Sequence, residues 1–258
     1  MTSNFNLSEL FLFPVKDDEA RKNFLIATLV YLAAFIIPIL PLIVVTGYTA
    51  RIIRDVVNSE SPSMPKWDDW ESMLKDGLVL FGVRLVYMLP LFVIFFPLFF
   101  AMTALPIWMD ASGGSEDQIV PIFIVFGLAT LCIFPISLAF GIIVPAAETH
   151  TAVHNDFAAG FRFREWWPIF RANVGGFILA YLIAVIAAMI LSTLVGIAMM
   201  TIILFCIMPI VMPATSAYIT FVMYAAYAGA YKQGKDRLAS TPIEPPAVNS
   251  PTDSTLVQ

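Results

Sequence analysis

Apolar residues in this chain come in uninterrupted blocks and do not alternate with polar ones. Residues 77–108, 119–147 and 174–231 hold a single charged side chain, Arg84, and the block 24–46 holds none. A run of about 20 such residues is enough for a helix to cross the hydrocarbon core of a bilayer. The blocks therefore predict several membrane-crossing helices. Prolines punctuate them at matching places, in Ile37-Pro38-Ile39, Phe134-Pro135-Ile136 and Met208-Pro209-Ile210, and each is followed by another, Pro41, Pro145 or Pro213.

The polar stretches before the blocks also repeat. Phe11-x-Phe13, Arg21-x-Asn23, Tyr31-Leu32 and Ala34 recur at the same intervals as Phe161-x-Phe163, Arg171-x-Asn173, Tyr181-Leu182 and Ala184. A weaker copy is Trp67-Asp68-Asp69-Trp70 followed by Leu74-Lys75-Asp76-Gly77. Internal repeats at this scale come before any choice of fold. The chain reads as an all-α integral membrane protein of three helical hairpins, about six embedded helices, each hairpin preceded by an amphipathic interfacial stub. Residues 23–38 would make only about 24 Å of helix, short of the roughly 30 Å core. The first hairpin is therefore expected to be short or re-entrant. Five spans, with 24–46 as one helix and the N-terminus outside, is the alternative. Residues 1–231 form the polytopic domain. Residues 232–258, with Pro242, Pro245, Pro246 and Pro251, read as a disordered cytoplasmic tail.

Charge orients this arrangement. Cytoplasmic borders carry excess Lys and Arg. Of the 14 basic residues, all but Arg84 fall in segments that three hairpins with both termini inside would place on the inner face. The outer turns, near 38–41, 109–118 and 197–203, hold none. The expected location is the cell membrane. Composition agrees: 59% of residues are hydrophobic and 13% charged, with a mean hydropathy of +0.84, whereas a soluble domain is about a quarter charged. The net charge of −5 averages an acidic outer loop and tail with basic borders, so it names no partner. Residues 1–23 lack the pattern of a cleavable signal peptide. Cys132 and Cys206, both deep in apolar runs, are expected to be buried packing residues.

Residues 161–177, FRFREWWPIFRANVGGF, crowd three arginines and six aromatic rings at a membrane border. Trp rings favour the headgroup layer, half buried with a wet polar edge, and arginines beside them attract anionic lipid phosphates. Arg21, Trp67, Trp70, Lys75, Arg162, Arg164, Trp166, Trp167 and Arg171 are therefore expected to be interfacial anchors, and a bilayer with anionic headgroups to be the partner. Gly176, Ala180, Ala184, Ala188, Ser192 and Gly196 recur every fourth residue and form one smooth helix ridge. Such a ridge permits close helix packing, within the chain or with a membrane-protein partner or second copy.

Arg84 is a functional candidate because charge inside a membrane is costly. Snorkelling, or pairing with Glu148, is the structural account preferred here. His150 and His154 would share a helix face, with Glu148 nearby. The spacing is not that of the HExxH motif and fixes no third ligand, so these three are only weak metal candidates and no cofactor is expected. There is no glycine-rich phosphate loop, nucleophile elbow or nucleic-acid module. Midplane carboxylates and a clear inverted repeat, usual in transporters, are missing too, although Pro90, Pro97, Pro106 and Pro135 leave room for discontinuous helices.

Phe11-Leu12-Phe13-Pro14, Gly47-Tyr48-x-x-Arg51-x-x-Arg54, Pro65-x-Trp67-Asp68-Asp69-Trp70 with Asp76-Gly77-Leu78, and Phe161-Arg162-Phe163-Arg164-Glu165 together carry a resemblance. In order and spacing they resemble a polytopic membrane family of bacteria and archaea known as domain of unknown function 4013, over nearly the whole chain to about Lys232. The histidine cluster is not among these motifs. The resemblance implies a membrane module and transfers no catalytic residue. The leading expectation is a non-catalytic accessory, assembly or lipid-interacting module. The second is a transporter of a small or lipid-like solute, with Arg84 central, and the third an intramembrane enzyme.

Overall fold

A backbone N–H in hydrocarbon has no water to bond, so a chain this apolar must satisfy its peptide groups within its own segments. The computed structural model, which describes residues 7–59, 61–111, 119–200 and 206–240, is helical throughout, with no strand among the described residues. A short α1 (Leu7–Leu12) and a 3-10 turn (Phe13–Val15) lead into α2 (Asp18–Ala33). The chain bends at 34–39 and returns as α3 (Leu40–Asn58). Two long helices follow, α4 (Trp70–Ala111) and α5 (Ile119–His154), then a 3-10 turn (Phe157–Phe161), α6 (Phe163–Ala172), α7 (Val174–Met199) and α8 (Met208–Ser240).

Among the described residues, four helices, carrying Trp70–Leu105, Phe123–His154, Val174–Ile197 and Met208–Ser240, are long and apolar enough to cross a membrane. The block 24–46 is not one helix: it is divided between α2 and α3 at the bend that contains Pro38.

Local chemistry sets several boundaries. Asp17 caps α2 by accepting from the Ala20 amide at 2.7 Å, and Asp69 caps α4 by accepting from the Ser72 amide at 3.0 Å. Asn155 adopts φ 50° just past α5, a left-handed conformation Asn tolerates better than most residues. Asp156 then accepts from the Ala158 amide at 3.0 Å and opens the 3-10 turn.

Several expectations are corrected. The prolines at 90, 97, 106, 135 and 145 do not interrupt their helices. Proline removes one ladder hydrogen bond, and a membrane helix can absorb that loss through local adjustment and its neighbours. The Trp67–Gly77 segment is not a separate stub, because α4 begins at Trp70 and runs straight into the apolar block. The helix α8 continues through Lys232 to Ser240, so the first part of the expected tail is ordered; residues 241–258, like the turn positions 112–118 and 201–203, lie outside the described residues. Cys132 and Cys206 are exposed on the protein surface. A thiol in an apolar run is as compatible with lipid as with a core, which is why sequence alone misplaced them.

The packed interior sits toward one end of the bundle, the charged end, where Arg51, Arg54, Asp76 and Glu148 form ion pairs. α3 is the most enclosed helix, with thirteen of its nineteen residues buried. Its contact with α4 is set by two glycines. A Cβ on Gly47 would run into the carbonyl oxygen of Met73, and one on Gly77 into that of Ile43. The two backbones touch, as small residues allow where no hydrophobic effect draws helices together. The charged-end half of α8 fills the centre with Ala217, Phe221, Tyr224, Ala225, Tyr227, Ala228 and Tyr231. Farther out, α4, α5 and α7 turn large apolar side chains such as Phe96, Phe134 and Ile190 outward.

The repeated asparagines take matching roles. Asn23 donates to the Met64 carbonyl at 3.4 Å and Asn173 to the Ala230 carbonyl at 2.8 Å, and both are buried.

Gly47→Val and Gly77→Val are each expected to cost more than the ~1–3 kcal/mol typical of overpacking, because the obstacle is backbone. Gly127→Ala, where an added Cβ meets nothing within 4 Å, is the control expected to leave stability unchanged. Thermal unfolding in detergent, read by fluorescence-detected size exclusion, measures all three.

Candidate functional site

One polar cluster lies within the spans themselves. Arg84, four turns into α4, donates from Nε to Glu148 Oε1 at 2.7 Å and from Nη2 to Oε2 at 3.3 Å. Glu148 comes from the last third of α5 and is almost fully enclosed. Tyr224 of α8 completes the cluster: its hydroxyl donates to Glu148 Oε2 and accepts from Arg84 Nη2. The guanidinium carbon also lies 5.5 Å from the Tyr224 ring centroid, in reach of a cation–π interaction. Every oxygen of this cluster is engaged, as burial of a charge pair requires. Among the described residues, Nη1 of Arg84 makes no hydrogen bond, and the Arg84 side chain remains 33% exposed.

That exposure opens onto cavities. One, of about 380 Å³, is lined by Tyr31, Thr46, Thr49, Arg84, Thr220 and Tyr224 together with Leu42, Val45, Phe81 and Met223. A second, of about 300 Å³, has Arg84, Glu148, Tyr181, Ala184, Tyr224 and Tyr227 in its wall. Arg84, Met223 and Tyr224 belong to both, so this trio forms a shared partition. The internal repeat reappears here. Tyr31 of the first copy lines one cavity and Tyr181 of the second lines the other. The Tyr31 hydroxyl lies 3.1 Å from the Thr220 hydroxyl, and Tyr227 donates to the Gly141 carbonyl at 2.9 Å. The repeat marked Tyr31 and Tyr181 by spacing but not as cavity residues, and sequence had no means of finding Thr220 and Tyr224, because single hydroxyls in apolar runs carry no spacing signal.

The small-residue ridge divides along α7. Ala180 and Ala184 are buried, Gly176 and Ala188 partly so, and Ser192 and Gly196 are exposed. The anchors divide too. Arg21, Lys75, Arg162, Arg164, Trp70, Trp167 and Arg171 are exposed. Trp166, expected at the headgroups, is instead completely buried and donates to the Gly160 carbonyl at 3.1 Å. Trp67 stacks on Tyr48 with centroids 4.1 Å apart and donates to the Asn23 carbonyl at 3.0 Å. Both indole N–H groups are spent inside the protein. The cause on α6 is helical spacing, since Trp166, Ile169 and Phe170 form one buried face and Arg164, Trp167 and Arg171 the opposite one.

A further cation, Arg54, pairs with buried Asp76 and donates to the Ala152 carbonyl at 3.4 Å, tying α3 to α4 and α5. Of the weak metal candidates, Glu148 is committed to Arg84. His150 and His154 meet a different carboxylate, Glu165 of α6.

The family described as protein of unknown function, DUF4013, matches residues 30–200, more than half of the chain. The chain belongs to this family. Searches of curated proteins and of solved structures found no match.

Removing one member of the buried pair, by Glu148→Gln or Arg84→Gln, is expected to cost about 3–5 kcal/mol, while the double variant recovers part of that loss. Exposed Arg162–Asp156, at 2.6 Å with both side chains over 40% exposed, should contribute under about 1 kcal/mol. A double-mutant cycle of thermal unfolding on each pair measures the contrast.

Proposed function

We propose that this DUF4013 member is a non-catalytic, multi-pass protein of the cell membrane that lodges a lipid or lipid-like solute through its oxygen atoms beside Arg84. The observation that carries this reading is the cavity of about 380 Å³ walled by Arg84, Tyr31, Thr220 and Thr46. Arg84 and Glu148 neutralise each other, so a full anionic charge gains little there. Nη1 of Arg84 and the one hydroxyl proton that the Tyr31–Thr220 pair leaves over instead offer hydrogen bonds to an ester, amide or headgroup oxygen, the Thr46 and Thr49 hydroxyls being donated to carbonyls of their own helix. Apolar neighbours, among them Leu42, Val45 and Phe81, suit the attached hydrocarbon.

The arrangement in the membrane follows from the same physics. Three hairpins, α2–α3, α4–α5 and α7–α8, make six embedded elements, the first short or re-entrant because α2 spans about 24 Å. Basic residues from distant segments gather at one end. Lys232 bonds the Ser59 carbonyl, Arg237 the Ala172 carbonyl at 3.0 Å, and Lys66 lies 3.3 Å from Glu19. Under the positive-inside rule that end is cytoplasmic and both termini lie inside. The exposed face of α6, with Arg164, Trp167 and Arg171, then rests on anionic headgroups.

A second reading, an accessory or assembly module, is favoured by one observation. The far part of the α7 ridge is open, and a Cβ on Gly196 would meet nothing within 4 Å, which leaves room for a helix of another protein.

Native mass spectrometry of protein extracted with its own lipids separates the two. A retained lipid that falls at least fivefold in Thr46→Leu, which fills the cavity, is the expected result. A stoichiometric protein partner without lipid, lost in Gly196→Leu, would establish the accessory reading instead. An N-terminal epitope should be inaccessible on intact cells and accessible after permeabilisation; labelling of intact cells would sink the six-helix arrangement.

A further inference from the structure

The geometry points to a divalent metal site of the zinc class, formed by His150, His154 and Glu165, which clasps α6 to the charged end of α5. It is separate from the cavity at Arg84 and does not depend on it. The two histidines stand one turn apart at the end of α5, with ring centroids 4.3 Å apart. Asn155 then turns the chain, and Glu165 arrives from the first turn of α6 with Oε2 3.2 Å from His150 Nε2. One ligand atom from each of the three lies within 4.8 Å of the others. Tetrahedral zinc with bonds of 2.0–2.2 Å holds its ligands about 3.4 Å apart, so small side-chain rotations close the set.

The surroundings are those of a ligand set. His150 is buried, and its Nδ1 lies 2.6 Å from the Tyr231 hydroxyl. That bond orients the ring so that Nε2 faces Glu165, the usual outer support of a metal-binding imidazole. With an ion on Nε2, Nδ1–H donates to Tyr231.

His154 makes the difference between a metal site and an ordinary buried histidine network. The contacts of His150 to Tyr231 and Glu165 would satisfy it without help. His154, by contrast, is exposed and makes no hydrogen bond among the described residues, yet it stands beside its partner ring. Two imidazoles and one carboxylate suit zinc and leave a fourth position for water. Arg162 is the competing cation, with Nη1 3.8 Å from Glu165. Its stronger partner is Asp156 at 2.6 Å, and its exposed side chain is free to stay there when Glu165 turns to an ion.

The test uses the full chain in detergent, stripped by a chelator and titrated with ZnCl2 and separately with CoCl2. One equivalent of zinc should bind by calorimetry and raise the unfolding temperature, and cobalt should give visible absorption. His154→Ala and Glu165→Gln, both at exposed positions, should weaken binding at least tenfold and abolish the thermal shift while eluting as folded protein. Absence of zinc binding by the folded wild-type chain, or binding unchanged in both variants, would overturn the inference.

Discussion

The close crossing of α3 and α4 at Gly47 and Gly77 is the constraint on which the rest of the architecture depends. Without side chains there, the two backbones touch, and the buried face of α3 becomes the floor against which α4, α5 and α8 are laid. Because the helices run antiparallel from this point, one direction brings Arg51 to Asp68 and Asp69. The other brings Leu42, Val45 and Thr46 to Phe81 and Arg84 around a common cavity.

Inside this frame, polar groups are managed in two ways. Several tyrosine and tryptophan donors are spent on backbone carbonyls elsewhere in the chain: Tyr48 on Pro65, Tyr87 on Gly160, Trp166 also on Gly160, Tyr218 on Phe11. These bonds pin turns and short helices to the bundle and leave nothing over for a ligand. The Arg84–Glu148–Tyr224 cluster differs, since one edge of the guanidinium remains unspent and faces a cavity. Burying a charge pair is rarely a route to stability; this one is satisfied by mutual hydrogen bonds and stands at the partition between two cavities.

The repeat gains a physical meaning from these contacts. Asn23 and Asn173 fasten the two copies to neighbouring carbonyls, and Tyr31 and Tyr181 reach the two cavities that meet at Arg84. The copies are not interchangeable, however. Phe13 is buried, whereas Phe163, its counterpart, is exposed, because in the second stub this position opens a separate amphipathic helix, α6, that buries Trp166, Ile169 and Phe170 instead. That helix carries Glu165 to the two histidines, a meeting that the first copy has no counterpart for.

Sequence by itself determined that the chain is helical, membrane-bound and of the DUF4013 family, because block hydropathy and short ordered motifs are local quantities. It also marked the bend near Pro38, Arg84 as a residue apart, and Glu148 as an available partner. Tertiary structure alone decided which donors face protein and which face outward: Trp166 sits in the core, while Cys132 and Cys206 lie on the surface, although all three belong to stretches whose composition allows either. It likewise decided that the carboxylate beside His150 and His154 is Glu165 and not Glu148. Along the helix the nearer glutamate looked the better choice, but side-chain direction depends on what packs against each face, and Arg84 on α4 had already claimed Glu148.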